Sequence, residues 1–312
     1  MIELNTSEDV KKYLGKQQII SNNIQFEVIQ LSGGVSSSVW QIISKENRWV
    51  LKQALKKLRV QADWFSDVER IHREHEVMQA IQNIVPASSV PEIIHTDYDN
   101  HVYIMKSAED KARTWKDILM HGNFNSDIAI KAGKILQSIH RNSEKINEND
   151  KAKFHDQKYF IQLRVEPFHQ YLIKQYPELE VYIQRLINEV TQKKICLVHG
   201  DFSPKNMLIE SSNHLVLIDY EVAHWGNPVF DVAYCICHLM LKGWHLKRRE
   251  EAQQLIKIFL NAYNNNVENL TPHLGLMLLA RMDGKSPADY IKDEVLKNVI
   301  RKEAIGMIKN SP

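Results

Sequence analysis

Residues 195–227 interrupt a long helical pattern with an island of a different kind. Ile195-Cys196-Leu197-Val198 is an apolar run of strand length, followed by the polar stretch His199-Gly200-Asp201-Phe202-Ser203-Pro204-Lys205-Asn206. Residues 207–210 and 215–218 then read as two short strands joined by Ser211-Ser212-Asn213-His214, which predicts a hairpin. Asp219 stands at the end of that hairpin. Whatever the rest of the chain builds must hold this small irregular sheet among helices.

The chain on either side divides into two differently patterned parts. Segments 24–31, 38–44 and 48–53 are rich in Val, Ile and aromatic residues and are punctuated by Gly33-Gly34 and Glu46-Asn47. Apolar residues at helical spacing (Val68, Ile71, Val77, Met78, Ile81) predict a helix over 67–84, and 92–96 and 102–105 read as two further strands. A small antiparallel sheet carrying one long helix is therefore expected over residues 1–105. From 106 to 312 the pattern is mainly helical, with apolar stripes at Ile128, Ala132, Ile135, Leu136 and Ile139, and at Ala252, Leu255, Ile256, Phe259, Leu260 and Tyr263. The charged stretch 143–153 is expected to be an exposed connection. The fold class is thus α+β.

The island carries the chemistry. Strand, loop and hairpin bring Asp201, Asn206 and Asp219 toward one point. Magnesium takes hard oxygen ligands, few from protein and the rest from water and phosphate. A carboxamide oxygen from Asn206 and a carboxylate from Asp219 meet that need, and leave Asp201 to accept or orient the proton of an attacking hydroxyl. Phosphoryl transfer passes through a loose transition state, so positioning and charge neutralisation supply most of its catalysis. At average residue usage, His-Gly-Asp with Asn five and Asp eighteen residues after that Asp would recur by chance in roughly one chain in ten thousand of this length.

Val198-His199-Gly200-Asp201-Phe202-Ser203-Pro204-Lys205-Asn206 with Ile218-Asp219-Tyr220-Glu221 resembles the motif of the aminoglycoside phosphotransferase and choline kinase-like family, whose fold is similar to that of protein kinases. The matching features run from Gly33 to about Asp231. The resemblance implies a bilobal protein-kinase-like fold, with an N-terminal nucleotide-capping lobe at 1–105 and a helical catalytic and substrate lobe at 106–312. It also implies Mg2+, ATP or GTP as phosphate donor, and a small hydroxylated acceptor, either a metabolite or an aminoglycoside-like molecule. By the same resemblance Asp201 is the catalytic base, and Asn206 and Asp219 are the metal ligands. A protein kinase would carry Lys two residues after the Asp and Gly two after the metal-binding Asp. Ser203 and Glu221 stand there instead, which favours a small-molecule kinase.

The first lobe offers matching parts. Leu31-Ser32-Gly33-Gly34-Val35-Ser36-Ser37-Ser38 lies between two strands, where a loop covering phosphates belongs. Either Ser36 or Ser37 could meet phosphate. Lys52 interrupts an apolar strand; a buried lysine needs a partner, and phosphate oxygens plus a helix carboxylate provide one. Glu74 and Glu76 are both on the following helix but point in different directions. The resemblance favours Glu74, directly after Arg73. The adenine site is expected at the hinge around residues 102–108. Asp231 is expected to brace the catalytic loop. Glu221 is open between a second magnesium, substrate contact and a structural role. Acceptor contacts are sought among Tyr159, Arg164, Glu166, His169, Trp225, Trp244 and Tyr290, where no acidic cluster is evident.

Composition limits the alternatives. Forty Lys+Arg against 38 Asp+Glu leave +2, too balanced for a dedicated nucleic-acid binder. Three cysteines make no disulfide framework, and Cys235 and Cys237 read as buried core thiols. The polar N-terminus does not read as a signal peptide, and the longest apolar stretch, 230–241, contains Asp231 and His238. A cytoplasmic protein with no membrane partner is expected. Two other readings stay open: a catalytically inactive nucleotide-binding regulator of the same fold, and a hydrolase binding a metal through His199, His224 and His238. Residues 281–287 resemble a phosphate loop only superficially, since no glycine or strand precedes them, and an interhelical turn is expected.

Overall fold

The structure is a computed structural model that describes residues 2–21, 24–31, 37–55 and 66–309. Five antiparallel strands form the N-terminal sheet: β1 (Phe26–Gln30), β2 (Ser37–Ser44), β3 (Arg48–Ala54), β4 (Ile93–Asp97) and β5 (Val102–Lys106), in the order β1-β2-β3-β5-β4. Alternation along each strand sorts its side chains onto two faces. Leu51, Val102 and Ile104 pack with Trp40 and Ile42 on one face, whereas Val50, Ala54, Tyr103 and Met105 face the main core.

Each face has its own helix. α1 (Ser7–Lys16) covers the first, burying Val10, Tyr13 and Leu14. Its start is fixed by a reciprocal cap: Asp9 N–H donates to Thr6 Oγ1 (3.1 Å) and Thr6 N–H to Asp9 Oδ2 (2.9 Å). α2 (Arg70–Ile81) covers the second with Ile71, Val77, Met78 and Ile81. α2 is the long helix expected from the sequence, shorter at both ends; α1 is an addition to it.

The remainder is largely helical. After the short strand β6 (Arg113–Thr114) come α3 (Trp115–Met120), α4 (Ser126–Asn142) and α5 (Glu148–Phe154). The stretch 143–153 is therefore not a plain connection: Asn147 caps α5 by accepting from Asp150 N–H, and the helix sends Phe154 into the core while its charges face solvent. α6 (Lys158–Phe160) and α7 (Tyr171–Gln175) flank a π-helical stretch, Ile161–Gln170, and α8 (Glu180–Gln192) follows. The island comprises β7 (Cys196–Val198), β8 (Met207–Ile209), β9 (Leu215–Leu217) and β10 (His224–Gly226). β8 and β9 form the expected hairpin, which β6 extends on the β8 side, and β10 pairs with β7.

Four helices complete the chain: α9 (Val229–His245), α10 (Arg249–Tyr263), α11 (Leu270–Asp283) and α12 (Glu294–Lys309). α9 is buried on nearly every side, as its apolar sequence requires. α4 and α10 approach so closely that a Cβ on Gly133 would lie 2.6 Å from the Phe259 carbonyl oxygen. All three cysteines are buried and unpaired, and of the 281–287 segment the first three residues end α11 and the rest bend away toward α12. Among the described residues, no helix is long and apolar enough to cross a membrane.

Candidate active site

The site begins with Lys52 in the middle of β3. Its register opposite Val39 and Tyr103 puts its side chain on the α2 face, where it is 8% exposed. There Lys52 Nζ donates to Glu74 Oε1 (2.7 Å) and Oε2 (2.9 Å), and lies 3.3 Å from Asp219 Oδ1. Burial works against the ammonium, but Glu74, Tyr103, Asp219 and Glu221 together outweigh it and raise the lysine well above its usual range. Glu74 is fully buried; Glu76 points elsewhere, toward Tyr98 and Lys153.

Asp201 sits in the loop after β7. Gly200 precedes it with φ +77°, and a Cβ there would lie 2.9 Å from the Val222 carbonyl oxygen, so the turn needs glycine. The loop is held by a buried acid on α9. Asp231 Oδ2 accepts from His199 N–H (2.7 Å) and Oδ1 from Gly200 N–H (2.8 Å), while His140 Nε2 lies 3.1 Å from Oδ2 and its other nitrogen 2.8 Å from the Tyr263 hydroxyl. His199 Nδ1 accepts from Asp201 N–H (3.1 Å), so Nε2 carries the proton and donates to the Ile218 carbonyl (3.2 Å). His199 thus ties the loop to the residue before Asp219.

The two carboxyl oxygens of Asp201 have different surroundings. Oδ2 takes Arg164 Nη2 (2.9 Å), Lys205 Nζ (2.9 Å) and Asn206 Nδ2 (2.8 Å). Oδ1 is buried with no hydrogen-bond partner. Burial pushes this acid up, but Arg164 and Lys205 overcome it and hold it well below the usual carboxylate range. Asn206 Nδ2 also donates to the Asp201 carbonyl (2.9 Å), so its amide hydrogens are committed to Asp201 and its Oδ1 is turned the other way. The Asn206 carbonyl accepts from Ile218 N–H (3.0 Å), which places Asp219 next to it in the chain. Asp219 itself has φ +74°, a backbone that side chains beyond Gly, Asn and Asp rarely adopt. Burial opposes its charge; Lys52 and Lys205 keep it ionised.

The structure therefore brings Lys52, Glu74, Asp201, Asn206 and Asp219 together. Ser37 starts β2 and pairs with Ala54, on the Lys52 face, with its hydroxyl buried and unpartnered. Ser36, Gly33 and Gly34 lie outside the described residues. Glu221 pairs with buried Arg70 (3.0 Å), a structural contact. Of the residues sought for an acceptor, Arg164 instead reaches Asp201 from the π-helical stretch, and His169 is buried in the core. Lys205 carried a readable signal, its place four residues after Asp201; the π-helical geometry that aims Arg164 left none.

Oxygen donors at Asn206 and Asp219, beside a lysine and a carboxylate with one vacant oxygen, suit magnesium shared with phosphates. The alternative histidine cluster does not assemble. His199 is committed to the backbone, His224 stacks on Phe160 (4.0 Å), and His238 packs edge-on against Tyr234 (4.8 Å). No group of three or more His, Cys, Asp or Glu able to hold a metal occurs among the described residues.

A sequence profile described as the phosphotransferase enzyme family (APH) matches residues 27–273. No curated protein sequence matches the chain significantly. Solved structures share the fold. One is a ternary complex of APH(2")-IIa with streptomycin and ATP (TM-score 0.51, 17% identity, covering 100% of this chain and 98% of that one). Another is the choline kinase LicA from Streptococcus pneumoniae (0.53, 14%, 97% and 99%). A third is the spectinomycin phosphotransferase APH(9)-Ia with ADP and spectinomycin (0.54, 12%, 99% and 99%).

Proposed function

The chain belongs to the phosphotransferase enzyme family, and we propose that it transfers the γ-phosphate of ATP to a hydroxyl of a small molecule in a Mg2+-dependent reaction. Residues 1–105 would cap the nucleotide, and residues 106–312 would carry the catalytic loop and the acceptor. The observation that carries this reading is the divided environment of Asp201, with one oxygen saturated by Arg164, Lys205 and Asn206 and the other buried and vacant. A site that only held nucleotide would have no use for a buried carboxylate with an open acceptor position. ATP as donor is supported by the nucleotides in structures of the same fold; GTP is the competitor to test.

In this reading the acceptor hydroxyl donates its hydrogen bond to Asp201 Oδ1. A bond forms from the hydroxyl oxygen to the γ-phosphorus as the bond to the β,γ-bridging oxygen breaks, ADP departs, and the hydroxyl proton passes to Asp201 and then to solvent. Because Arg164 and Lys205 keep Asp201 a weak base, its main task is orientation, with the proton moving late, as a loose transition state allows. Lys52, held by Glu74, contacts the phosphates. Asn206 and Asp219 would hold Mg2+, which when bound neutralises charge on the phosphate oxygens.

The test is a screen of hydroxylated metabolites and aminoglycosides for acceptor-dependent release of ADP or GDP. Asp201→Ala is expected to lower turnover by about 10²–10⁴-fold. Unchanged turnover in that variant overturns the assignment.

A further inference from the structure

α9 presents Tyr234, His238 and Lys242 at intervals of four residues, along one face of the helix. Lys242 is 1% exposed, yet its ammonium has no carboxylate partner among the described residues. Its contacts are the His238 carbonyl oxygen (3.3 Å) and the face of Tyr290, whose centroid lies 5.6 Å away. His238 is 7% exposed and its Nε2 has no hydrogen-bond partner, and the Tyr290 hydroxyl is likewise buried and unpartnered. Arg281 comes in from α11. Among the described residues its guanidinium bonds only to neutral groups, namely the Ser286 carbonyl and hydroxyl and the Pro287 carbonyl, and its Nε is buried without a partner.

A buried cation is unfavourable unless an opposite charge meets it. Among the described residues, buried Lys242 and half-buried Arg281 have no ion-pair partner, and His238 lies between Lys242 and Tyr234 on α9. Burial pushes Lys242 down to about 7, with Lys116 and Arg281 adding to the shift. Burial, then Lys242 and Arg281, lowers His238 well below its usual value, and Asp201 is the carboxylate that acts on it. Asp289 is exposed and reaches Tyr290. Tyr234 stacks on Phe168 (6.3 Å between centroids), and Arg164, which pairs with Asp201, lies over the Phe168 ring (5.7 Å), so this face of α9 adjoins Asp201.

Resting on the phosphotransferase reading above, we infer that His238, Lys242 and Arg281 form a subsite for an anionic group of the acceptor, so that the substrate is a hydroxylated molecule bearing a phosphate or a carboxylate. The unpaired hydrogen-bonding atoms of His238, Arg281 and Tyr290 are the donors such a group would meet, and its charge would supply the missing counterion of Lys242. A cationic acceptor would meet like charge instead.

The test uses the full chain with a saturating non-hydrolysable ATP analogue (β,γ-imido-ATP) and Mg2+, so that all three of the nucleotide's phosphate positions are filled. Inorganic phosphate or malonate is added, with sodium chloride at equal ionic strength as control, and the melting temperature is followed. Either anion is expected to raise it by about 2 °C or more above chloride. A response to phosphate alone or to malonate alone identifies the acidic group. Lys242→Met and Arg281→Gln are each expected to weaken the apparent anion affinity by at least about tenfold. Lys242→Met should itself melt no lower than the wild type, because an unpaired buried charge is removed; Arg281→Gln decides the matter should the first variant fail to fold. No rise above chloride, or a rise undiminished in both variants, overturns the subsite. A wild type that ignores the ATP analogue and Mg2+ but keeps the anion response sinks the phosphotransferase reading alone.

Discussion

Asp201 is buried and ionised because Arg164 and Lys205 supply opposite charge at 2.9 Å, and the consequence is a pH dependence with a definite sign. Depressed in the folded enzyme, this acid stays anionic through the acidic range, so a loss of kcat/KM near neutrality belongs to Glu74, which burial raises to about 7. Replacing Arg164 by Met leaves burial less opposed, and burial drives a carboxyl upward. The acid limb of the kcat/KM profile that Asp201 sets is then expected to move to higher pH by about one unit or more. Profiles of the two enzymes that superimpose would remove Arg164 from the account. At this scale Asp201, Asn206 and Asp219 were legible because loop chemistry depends on residue type and short spacing. Arg164 was not: in a π-helical stretch the usual 3.6-residue spacing no longer tells where a side chain points. Lys205, four residues after Asp201, places its ammonium 2.9 Å from Asp201 Oδ2.

Elements are held to one another here through single buried polar groups. Asp231, on the first turn of α9, accepts the backbone N–H groups of both His199 and Gly200, and so fixes where the loop that carries Asp201 leaves β7. Asp231→Ala strips the acceptors from two buried amides. At roughly 1–3 kcal/mol for each unsatisfied group, a loss of about 2–6 kcal/mol in unfolding free energy is expected by urea denaturation. A loss under about 0.5 kcal/mol would show that the loop holds itself. The periodic elements were readable: five strands, α2, α4 and α10 fall where apolar spacing put them, with ends adjusted by a few residues. α1 escaped notice. Its apolar residues are few, and what demands it is the second apolar face of the sheet, which only pairing and register reveal. β6 and β10 are two and three residues long, too short for any periodicity, and exist because β8 and β7 offer them an edge.

The two halves of the molecule meet through charge and hydrogen bonds gathered around the site. Lys52 of the sheet reaches Asp219 of the hairpin, and Arg70 of α2 reaches Glu221. Arg73 donates to the carbonyls of Lys153, Asp156 and Ala223. This arrangement could not be read from sequence, because it joins residues more than 70 positions apart whose only shared property is that the fold brings them together. It also means that the nucleotide's phosphates, if they bind where Lys52 and Asp219 converge, bind between the halves. Calorimetric titration of ATP into the wild type and Asp219→Ala, each with Mg2+ and with EDTA, examines this directly. The wild type is expected to bind ATP at least about tenfold more tightly with Mg2+ than with EDTA, and Asp219→Ala to lose that difference. A variant that keeps its full metal-dependent affinity, or a wild type indifferent to Mg2+, would contradict the account.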